Sequence, residues 1–390
     1  MKKPVYLDYH ATTPCDPRVV EAMLPLFHDE FGNPSSRGHA FGRASEERVE
    51  SARKEVARAI GAKASEIVFT SGATEANNLA LLGAARFRRD AGHGDRVVSA
   101  TTEHKSVLEP LHALEEEGFQ VTLLPVDRHG VVDPAAVRAA VADGGAILVS
   151  VMLANNEIGT IEPLGEIARV AHEAGAWIHT DAVQGVGKIA VDVEALDVDL
   201  LSLSGHKFYG PKGVGALYVR QKPRRIKLAP IVMGGGQERG IRSGTHNVPG
   251  IVGLGAACRL CCADRDAEAV RLTGLRDRLQ AGLRQRIEGL LVNGHPEKRL
   301  PHNLSVSIPQ VDGEALLLSL DDICVSSGSA CRSSAPGASH VMKAIGHDDE
   351  LGKSTIRFGL GRWTTQEEVD YAVGRVAEVV DRLRAMSAFA

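Results

Sequence analysis

Long apolar segments, a signal-like start and a disulfide framework are all missing from this sequence of 390 residues. Its apolar runs stay near the length of residues 146–154, which is too short to span a bilayer. Two lysines follow Met1 without an apolar segment behind them, so no signal peptide is expected. Six cysteines in a chain of this size do not indicate a disulfide framework. These absences favour a cytoplasmic protein that has no membrane partner.

Strong charge, internal repeats and low-complexity tracts are also absent. The formal net charge is only -4, which gives no reason to expect nucleic acid or an anionic membrane as a partner. A content of 44% hydrophobic and 24% charged residues is typical of a globular protein, and the chain length favours two closely packed domains. We expect a large domain over residues 16–255 and a smaller one formed by residues 1–15 together with residues 256–390.

Strand and helix patterns alternate regularly in the larger predicted domain. Strands are predicted at 97–101, 120–125, 146–152 and 176–181, and helices from about 105 and at 134–142 and 163–174. Because these strands are rich in Val, Ile and Leu on both faces, they favour a mostly parallel sheet covered by helices on both sides. In such folds, ligands bind beyond the carboxyl ends of the strands. Five polar residues are predicted to lie there: Thr74, His104, Asn156, Asp181 and Lys207.

Lys207 follows an apolar strand predicted at 199–203 and precedes a second strand predicted at 214–219. Such a lysine is either a solvated turn residue at the rim of the sheet or the amine that forms a Schiff base with an aldehyde cofactor. Asp181 ends the preceding strand, so its carboxylate is expected at the same sheet edge. This pairing suits pyridoxal 5'-phosphate (PLP), because a carboxylate keeps the pyridine nitrogen protonated while the lysine holds the aldehyde. Gln184, three residues after Asp181, can reach the ring from the same turn.

The motif Asp181-x-x-Gln184 followed by Ser204-x-His206-Lys207 resembles the cofactor site of the cysteine desulfurases, the NifS/IscS group within the class-V aminotransferases. The similarity extends from residues 7–14 to residues 357–362, which is nearly the whole chain. It implies an α/β protein of PLP fold-type I, with a mostly parallel seven-stranded sheet covered by helices and a smaller α+β domain.

The resemblance assigns roles to the residues around the expected cofactor. His104 would place its imidazole flat on the PLP ring and act as an acid or base, whereas the alternative is a capping or core histidine. Asn156 would lie near the ring oxygen and the substrate carboxylate, and its alternative is a turn asparagine. The residues that would hold the PLP phosphate are Ala73, Thr74, Ser204 and His206. The strand–glycine–helix turn at Gly72 can alternatively be a plain connection between two elements.

Three more residues match family positions outside this group. Thr245 resembles the threonine that reaches the phosphate of the partner subunit, which implies a homodimer. Asn33 and Arg357 match the positions that hold the substrate α-carboxylate, and a guanidinium can meet a carboxylate through two parallel hydrogen bonds.

Cys331 is the residue that would separate a desulfurase from other enzymes of this fold. It ends the motif Ser-Ser-Gly-Ser-Ala-Cys in a long segment of small residues, which resembles the first group of desulfurases. A reactive thiol needs access and a stabilised thiolate, and the charge of Arg332 would favour that thiolate. Cys324, in contrast, follows an apolar pattern typical of a structural cysteine.

The remaining cysteines suggest no resident metal. Cys258, Cys261 and Cys262 share an apparent helix, and packing is favoured over a metal site because no further ligands are evident nearby. Cys15 has no informative context. The one metal contact that the resemblance leaves open is ligation of a transferred iron–sulfur cluster by Cys331.

The activity implied by the resemblance is conversion of L-cysteine to L-alanine. The sulfur would be captured by Cys331 as a persulfide and then passed to an iron–sulfur scaffold or a sulfur-relay protein for tRNA thiolation. Three alternatives remain open: a transaminase, which has no use for Cys331; a selenocysteine lyase, which shares nearly every motif; and a non-catalytic platform for sulfur-transfer partners. Intact Lys207, His104 and Cys331 argue against the platform.

Overall fold

The computed structural model of the chain describes residues 4–327 and 337–387. Within these ranges the strands are β1 (Val5–Tyr6), β2 (Ile67–Thr70), β3 (Arg96–Ala100), β4 (Gln120–Leu124), β5 (Ala146–Ser150), β6 (Trp177–Asp181), β7 (Leu200–Ser204), β8 (Gly215–Val219), β9 (Leu291–Val292), β10 (Asn303–Ser307), β11 (Ile323–Cys324), β12 (Ser326–Ser327) and β13 (Thr355–Gly359). The largest sheet has seven strands in the order β2-β8-β7-β6-β5-β3-β4. Only β8 runs antiparallel to its neighbours in that sheet, so the predicted mostly parallel seven-stranded sheet is confirmed.

The helices of the described residues cover both faces of this sheet and form much of the rest of the molecule. They are α1 (Pro17–Met23), α2 (Pro25–His28), α3 (Ala40–Ala59), α4 (Ala73–Asp90), α5 (Lys105–Glu116), α6 (Pro134–Val141), α7 (Leu164–Glu173), α8 (Val248–Arg286), α9 (Gly313–Leu318), α10 (His340–Ala344), α11 (Asp349–Lys353) and α12 (Gln366–Ser387). None of them combines the length and the hydrophobicity that a bilayer crossing requires.

Successive side chains of the central strands lie on opposite faces of the sheet, and they are apolar on both faces. On β3, Val98 packs into a core shared with α3 and the beginning of α8, while its neighbour Val97 packs into a core shared with α4 and α5. On β5, Val149 packs into the first of these cores and Leu148 into the second. Successive residues of a strand point to opposite faces, so a strand buried on both sides must be apolar throughout.

A second group of elements surrounds its own core. Its sheet has the order β12-β13-β10-β9, and a separate parallel pair joins β1 to β11. Leu304 of β10 and Phe358 of β13 are fully buried there against α12 and the second half of α8. Leu7, just after β1, belongs to this core, whereas Tyr9 belongs to that of the large sheet.

Helix α8 is 39 residues long and contacts both cores. Cys258 and Cys261 are buried against the large sheet, while Leu272 and Leu279 are buried in the second core. The boundary expected between residues 255 and 256 therefore lies inside one continuous helix. Packing of Cys258 and Cys261 agrees with the packing role favoured from the sequence, whereas Cys262 is exposed.

Most element boundaries follow the sequence patterns, and α3 is the clearest difference. Asp16 caps α1 as its position before Pro17 predicts, because its carboxylate accepts the Arg18 amide. The apolar pattern alone predicts a helix over residues 44–60, whereas α3 begins at Ala40. The reason is His39, whose Nδ1 accepts the Gly42 amide at 3.2 Å and so serves as an N-cap.

Candidate active site

A cavity of about 580 Å³ opens at the edge of the large sheet, beyond the carboxyl ends of β2, β5, β6 and β7. This is the position that the general rule for α/β sheets predicts for a ligand. The residues expected at the cofactor or substrate that do line it are Ala73, Thr74, His104, Asn156, Asp181, Gln184, Ser204, His206, Lys207 and Arg357.

Lys207 ends a short 3-10 turn, Gly205–Lys207, that directly follows β7. Its Nζ donates to the backbone oxygen of His10 at 2.7 Å and to that of Ala11 at 2.8 Å. The N-terminal segment therefore reaches the sheet edge and holds the amine beside the cavity. The amine of this partly exposed lysine is therefore held by two backbone oxygens at the edge of the sheet.

Asp181 is the last residue of β6, and its side chain is held by two donors. One carboxylate oxygen accepts from Nδ2 of Asn77 at 2.8 Å, and the other accepts from the backbone amide of Val183 at 3.0 Å. Asp181 is only 6% exposed, so its carboxylate is presented in one fixed orientation.

His104 is the N-cap of α5 and also faces the cavity, so the capping interpretation and the site interpretation both describe it. Its Nδ1 accepts from the backbone amide of Ser106 at 3.1 Å and lies 2.8 Å from the Ser106 hydroxyl. Asn77 donates to that hydroxyl oxygen at 2.8 Å, so one amide orients both Asp181 and, through Ser106, His104. Burial lowers the pKa of His104, and the charge of Asp181 opposes this effect.

The opposite end of the cavity is built to receive an anion. Helix α4 begins at Ala73 after Gly72, and no side chain among the described residues caps its first amides. Gly72 has a φ of 155° with a ψ of -178°, a conformation that favours glycine. The free amides and the positive end of an 18-residue helix bind phosphate groups well.

Charges near this helix start are balanced by neighbours. Burial opposes ionisation of Glu75, but hydrogen bonds from Arg242 and Ser71 outweigh it and lower the pKa of this carboxyl. Burial, reinforced by the nearby Lys207 and by Lys212, lowers the pKa of His206 to about 4. His206 therefore contributes a neutral ring.

Arg357 closes the side of the cavity that faces the smaller core. It is 2% exposed, and its guanidinium donates to the backbone oxygen of Asn156 at 2.9 Å, to Asp8 at 3.0 Å and to the hydroxyl of Ser326 at 2.7 Å. Its Nε is buried and has no hydrogen-bond partner within the described part of the chain. Arg357 also lines the cavity, and a guanidinium is suited to binding a carboxylate.

Two predicted site residues of the described part of the chain, Asn33 and Thr245, do not line this cavity. Asn33 is exposed, and its side chain accepts from the backbone amide of Ser35 at 2.9 Å, which turns it back onto its own loop. The expected contact of Asn33 with a substrate carboxylate is therefore not formed in the single chain. Thr245 is exposed and lies outside the cavity lining. Cys331, with Arg332, lies outside the described residues.

Several lining or supporting residues were not predicted. Asn77 lies one turn after Ala73 on α4, so both residues are on the same face of the helix. This spacing in the sequence could have predicted Asn77 as a site residue. His10 and His340 carry no comparable signal, because they come from the N-terminal segment and from α10, which packs in a separate small cluster with Ile158. Only the tertiary fold brings them to the sheet edge.

Comparisons with known proteins give a consistent result. The aminotransferase class-V family model matches residues 5–372. The chain is 58% identical over 387 residues to "Cysteine desulfurase IscS" of Anaeromyxobacter dehalogenans (strain 2CP-C), covering 99% of this chain and 95% of the relative. It is 48% identical over 384 residues to "Cysteine desulfurase IscS" of Rickettsia rickettsii (strain Iowa), covering 98% and 93%.

Two solved structures are similar along almost their whole length. A "NifS-like protein" superposes with a TM-score of 0.90 at 38% identity and covers 97% of this chain and 100% of its own. "SspA in complex with cysteine" superposes with a TM-score of 0.81 at 35% identity, covering 93% of this chain and 100% of its own.

Proposed function

The chain belongs to the aminotransferase class-V family and is a cysteine desulfurase of the NifS/IscS group, and we propose that it works through PLP on Lys207 and a persulfide on Cys331. The proposed cofactor site is supported by one observation: Lys207, Asp181 and the uncapped start of α4 all line the same cavity. The near-complete match to desulfurases carries the activity.

The groups around the cavity fit PLP. The free amides at Ala73 and Thr74 suit its phosphate, and the fixed carboxylate of Asp181 suits a protonated pyridine nitrogen. Lys207 supplies the amine that holds the aldehyde. When bound, this cofactor supplies an electron sink that weakens bonds at the α- and β-carbons of an amino acid.

Cysteine would be oriented by Arg357 and Asn156. Arg357 lines the cavity and would bind the α-carboxylate, and the contacts to Asp8, Ser326 and the Asn156 backbone keep its guanidinium in place. A rigidly held guanidinium loses little freedom on binding, so it fixes the orientation of the amino acid.

His104 would move a proton at Nε2. Its Nδ1 accepts from the Ser106 amide, so in the neutral ring the proton is on Nε2. Because burial lowers its pKa, the ring is neutral near pH 7 and can exchange this proton with the substrate. The Lys207 amine, held beside the cavity by two backbone oxygens, is the second proton carrier.

Cys331 would receive the sulfur. Its thiolate attacks the substrate sulfur, the S–S bond forms, and the Cβ–S bond breaks with its electron pair left on carbon. A proton added at Cβ gives L-alanine, so cysteine and the enzyme thiol become alanine and an enzyme persulfide without any external oxidant or reductant. The persulfide then passes to an iron–sulfur scaffold or a sulfur-relay protein, and we place this transfer in the cytoplasm.

The activity itself is tested by incubating the purified protein with L-cysteine and measuring alanine. Alanine formation should depend on added PLP after the protein has been stripped of cofactor. Production of pyruvate without alanine would favour β-elimination, and amino transfer to a keto acid would favour the transaminase. Selenocysteine as the only productive substrate would favour the lyase.

A homodimer would complete the phosphate site through Thr245 of the opposite subunit. Thr245 is exposed in the single chain and follows a segment in which Met233 is 84% exposed. The rings of Phe31 and Phe41 are tilted by 37° with centroids 5.3 Å apart, and each side chain is more than half exposed. Exposed apolar groups of this size are typical of interaction surfaces.

Mixing two inactive variants tests the shared site. Dimers of a Lys207→Ala chain and a Thr245→Ala chain should contain one site with both defects and one with neither. They should therefore regain about half the wild-type activity per mixed dimer, which can be measured after separating them by different affinity tags. Mixed dimers that retain PLP no better than the parent variants would contradict the shared site.

A further inference from the structure

His10 lies between β1 and α1 and is 1% exposed, yet it lines the cavity. Its ring Nδ1 lies 3.0 Å from Oε1 of Gln184, and its backbone oxygen accepts from Nε2 of Gln184 at 3.2 Å. Both ends of the Gln184 amide are therefore bonded to the same residue. The same backbone oxygen of His10 also accepts from the Lys207 amine at 2.7 Å.

The direction of these hydrogen bonds is set from the smaller core. Nδ2 of Asn303 donates to the backbone oxygen of Glu157 at 3.1 Å, so this end of the amide must be the NH2 group. The same Nδ2 lies 3.1 Å from Nε2 of His10 and must donate to it. Nε2 of a neutral His10 is then the acceptor, and Nδ1 carries the proton that is donated to Gln184.

The surroundings keep His10 neutral and in one place. Burial lowers the pKa of His10 well below its ordinary value, and the positive charges of Arg357, Lys207 and Lys188 reinforce this, while the bond to Gln184 opposes it. The ring stacks on His302 with centroids 4.3 Å apart, and burial lowers the pKa of His302 as well. A neutral imidazole with one fixed tautomer results.

We propose that His10 is a positioning residue that fixes the Gln184 amide with its NH2 group available to an oxygen of the bound cofactor. One N–H of that group donates to the backbone oxygen of His10, and the other is available to donate to a group bound in the cavity that Gln184 lines. Without the Nδ1 donor, the amide can rotate and present its oxygen instead, which repels a negatively polarised ring oxygen. This inference rests on the proposed PLP site.

Two substitutions separate the donor from the rest of the ring. In His10→Asn, the amide nitrogen can occupy the position of Nδ1 and still donate to Gln184. In His10→Gln, the longer side chain places its amide near the position of Nε2, so it can reach Asn303 but not Gln184. PLP dissociation constants and cofactor absorption spectra are measured for both, with thermal midpoints as a check on folding.

The His10→Gln protein should bind PLP about 3- to 10-fold more weakly than wild type and show a displaced absorption band, in line with the loss of one hydrogen bond. The His10→Asn protein should stay within about twofold of wild type, because it keeps that hydrogen bond. His10→Ala provides a second variant without the donor if His10→Gln does not fold.

Combining the substitution with Gln184→Ala tests whether His10 acts through Gln184. In that background His10→Gln should weaken PLP binding little further, because the group that it orients is gone. Equal losses in both backgrounds, equal losses for the Asn and Gln variants, or wild-type binding by His10→Gln would each overturn the inference. A wild-type protein that binds no PLP would instead refute the proposed function.

Discussion

Replacing Lys207 with alanine should abolish the covalent attachment of PLP and reduce alanine formation by at least about a thousandfold. The loss is this large because the same amine holds the aldehyde and carries a proton in the reaction. The backbone oxygens of His10 and Ala11 hold Nζ of Lys207 at the sheet edge beside the cavity.

Borohydride reduction followed by peptide mapping measures this attachment directly. In wild type, the reduced cofactor should be recovered on the peptide that contains Lys207. Lys212 is the matched control, because it also lines the cavity and lies five residues away. The Lys212→Ala protein should still carry the label on Lys207, and a label on any other lysine would end this assignment of the cofactor site.

Replacing Cys331 with serine should eliminate both alanine formation and persulfide while leaving PLP binding intact. A hydroxyl is a much weaker nucleophile toward sulfur than a thiolate, whereas the cofactor groups are untouched. Addition of L-cysteine should still change the absorption of the bound cofactor. Alanine release from cysteine at the wild-type rate by Cys331→Ser would contradict the mechanism and favour a direct lyase.

Cys324 provides the control for a general thiol effect. It pairs with Tyr6 across the β1–β11 pair, and burial together with the Asp8 carboxylate raises the pKa of its thiol. The four other described cysteines also have raised thiol pKa values, chiefly because of burial: Cys15, Cys258, Cys261 and Cys262. None of these five environments favours a thiolate, so Cys324→Ser should keep activity.

The sheet and the meeting of Asp181 and Lys207 at its edge could be predicted because both depend on local patterns. Apolar strands separated by helices indicate a parallel sheet, and polar residues just beyond strand ends must then meet at one edge. Asp181 and Lys207 follow this rule directly, since they end or follow β6 and β7. Both residues line one cavity at the sheet edge, and their roles toward a cofactor stay predictions.

The supporting contacts could not be predicted because they join segments far apart in the chain. His10 meets Gln184 and Asn303 only after the N-terminal segment crosses between the two cores. The predicted roles of Asn33 and Thr245 cannot be read from one chain for a different reason. Both residues are exposed there and lie outside its cavity. In the homodimer that we propose, Thr245 would act on the partner subunit, and a role of that kind leaves no contact within its own chain.

The most direct test of the central claim is to follow the sulfur of isotopically labelled L-cysteine in a single turnover of the PLP-loaded wild-type protein. Alanine and protein-bound persulfide sulfur should form in equal amounts, and mapping without reductant should locate the labelled sulfur on Cys331. Release of all the sulfur as free sulfide with an unlabelled Cys331, or a label on another cysteine, would contradict the account.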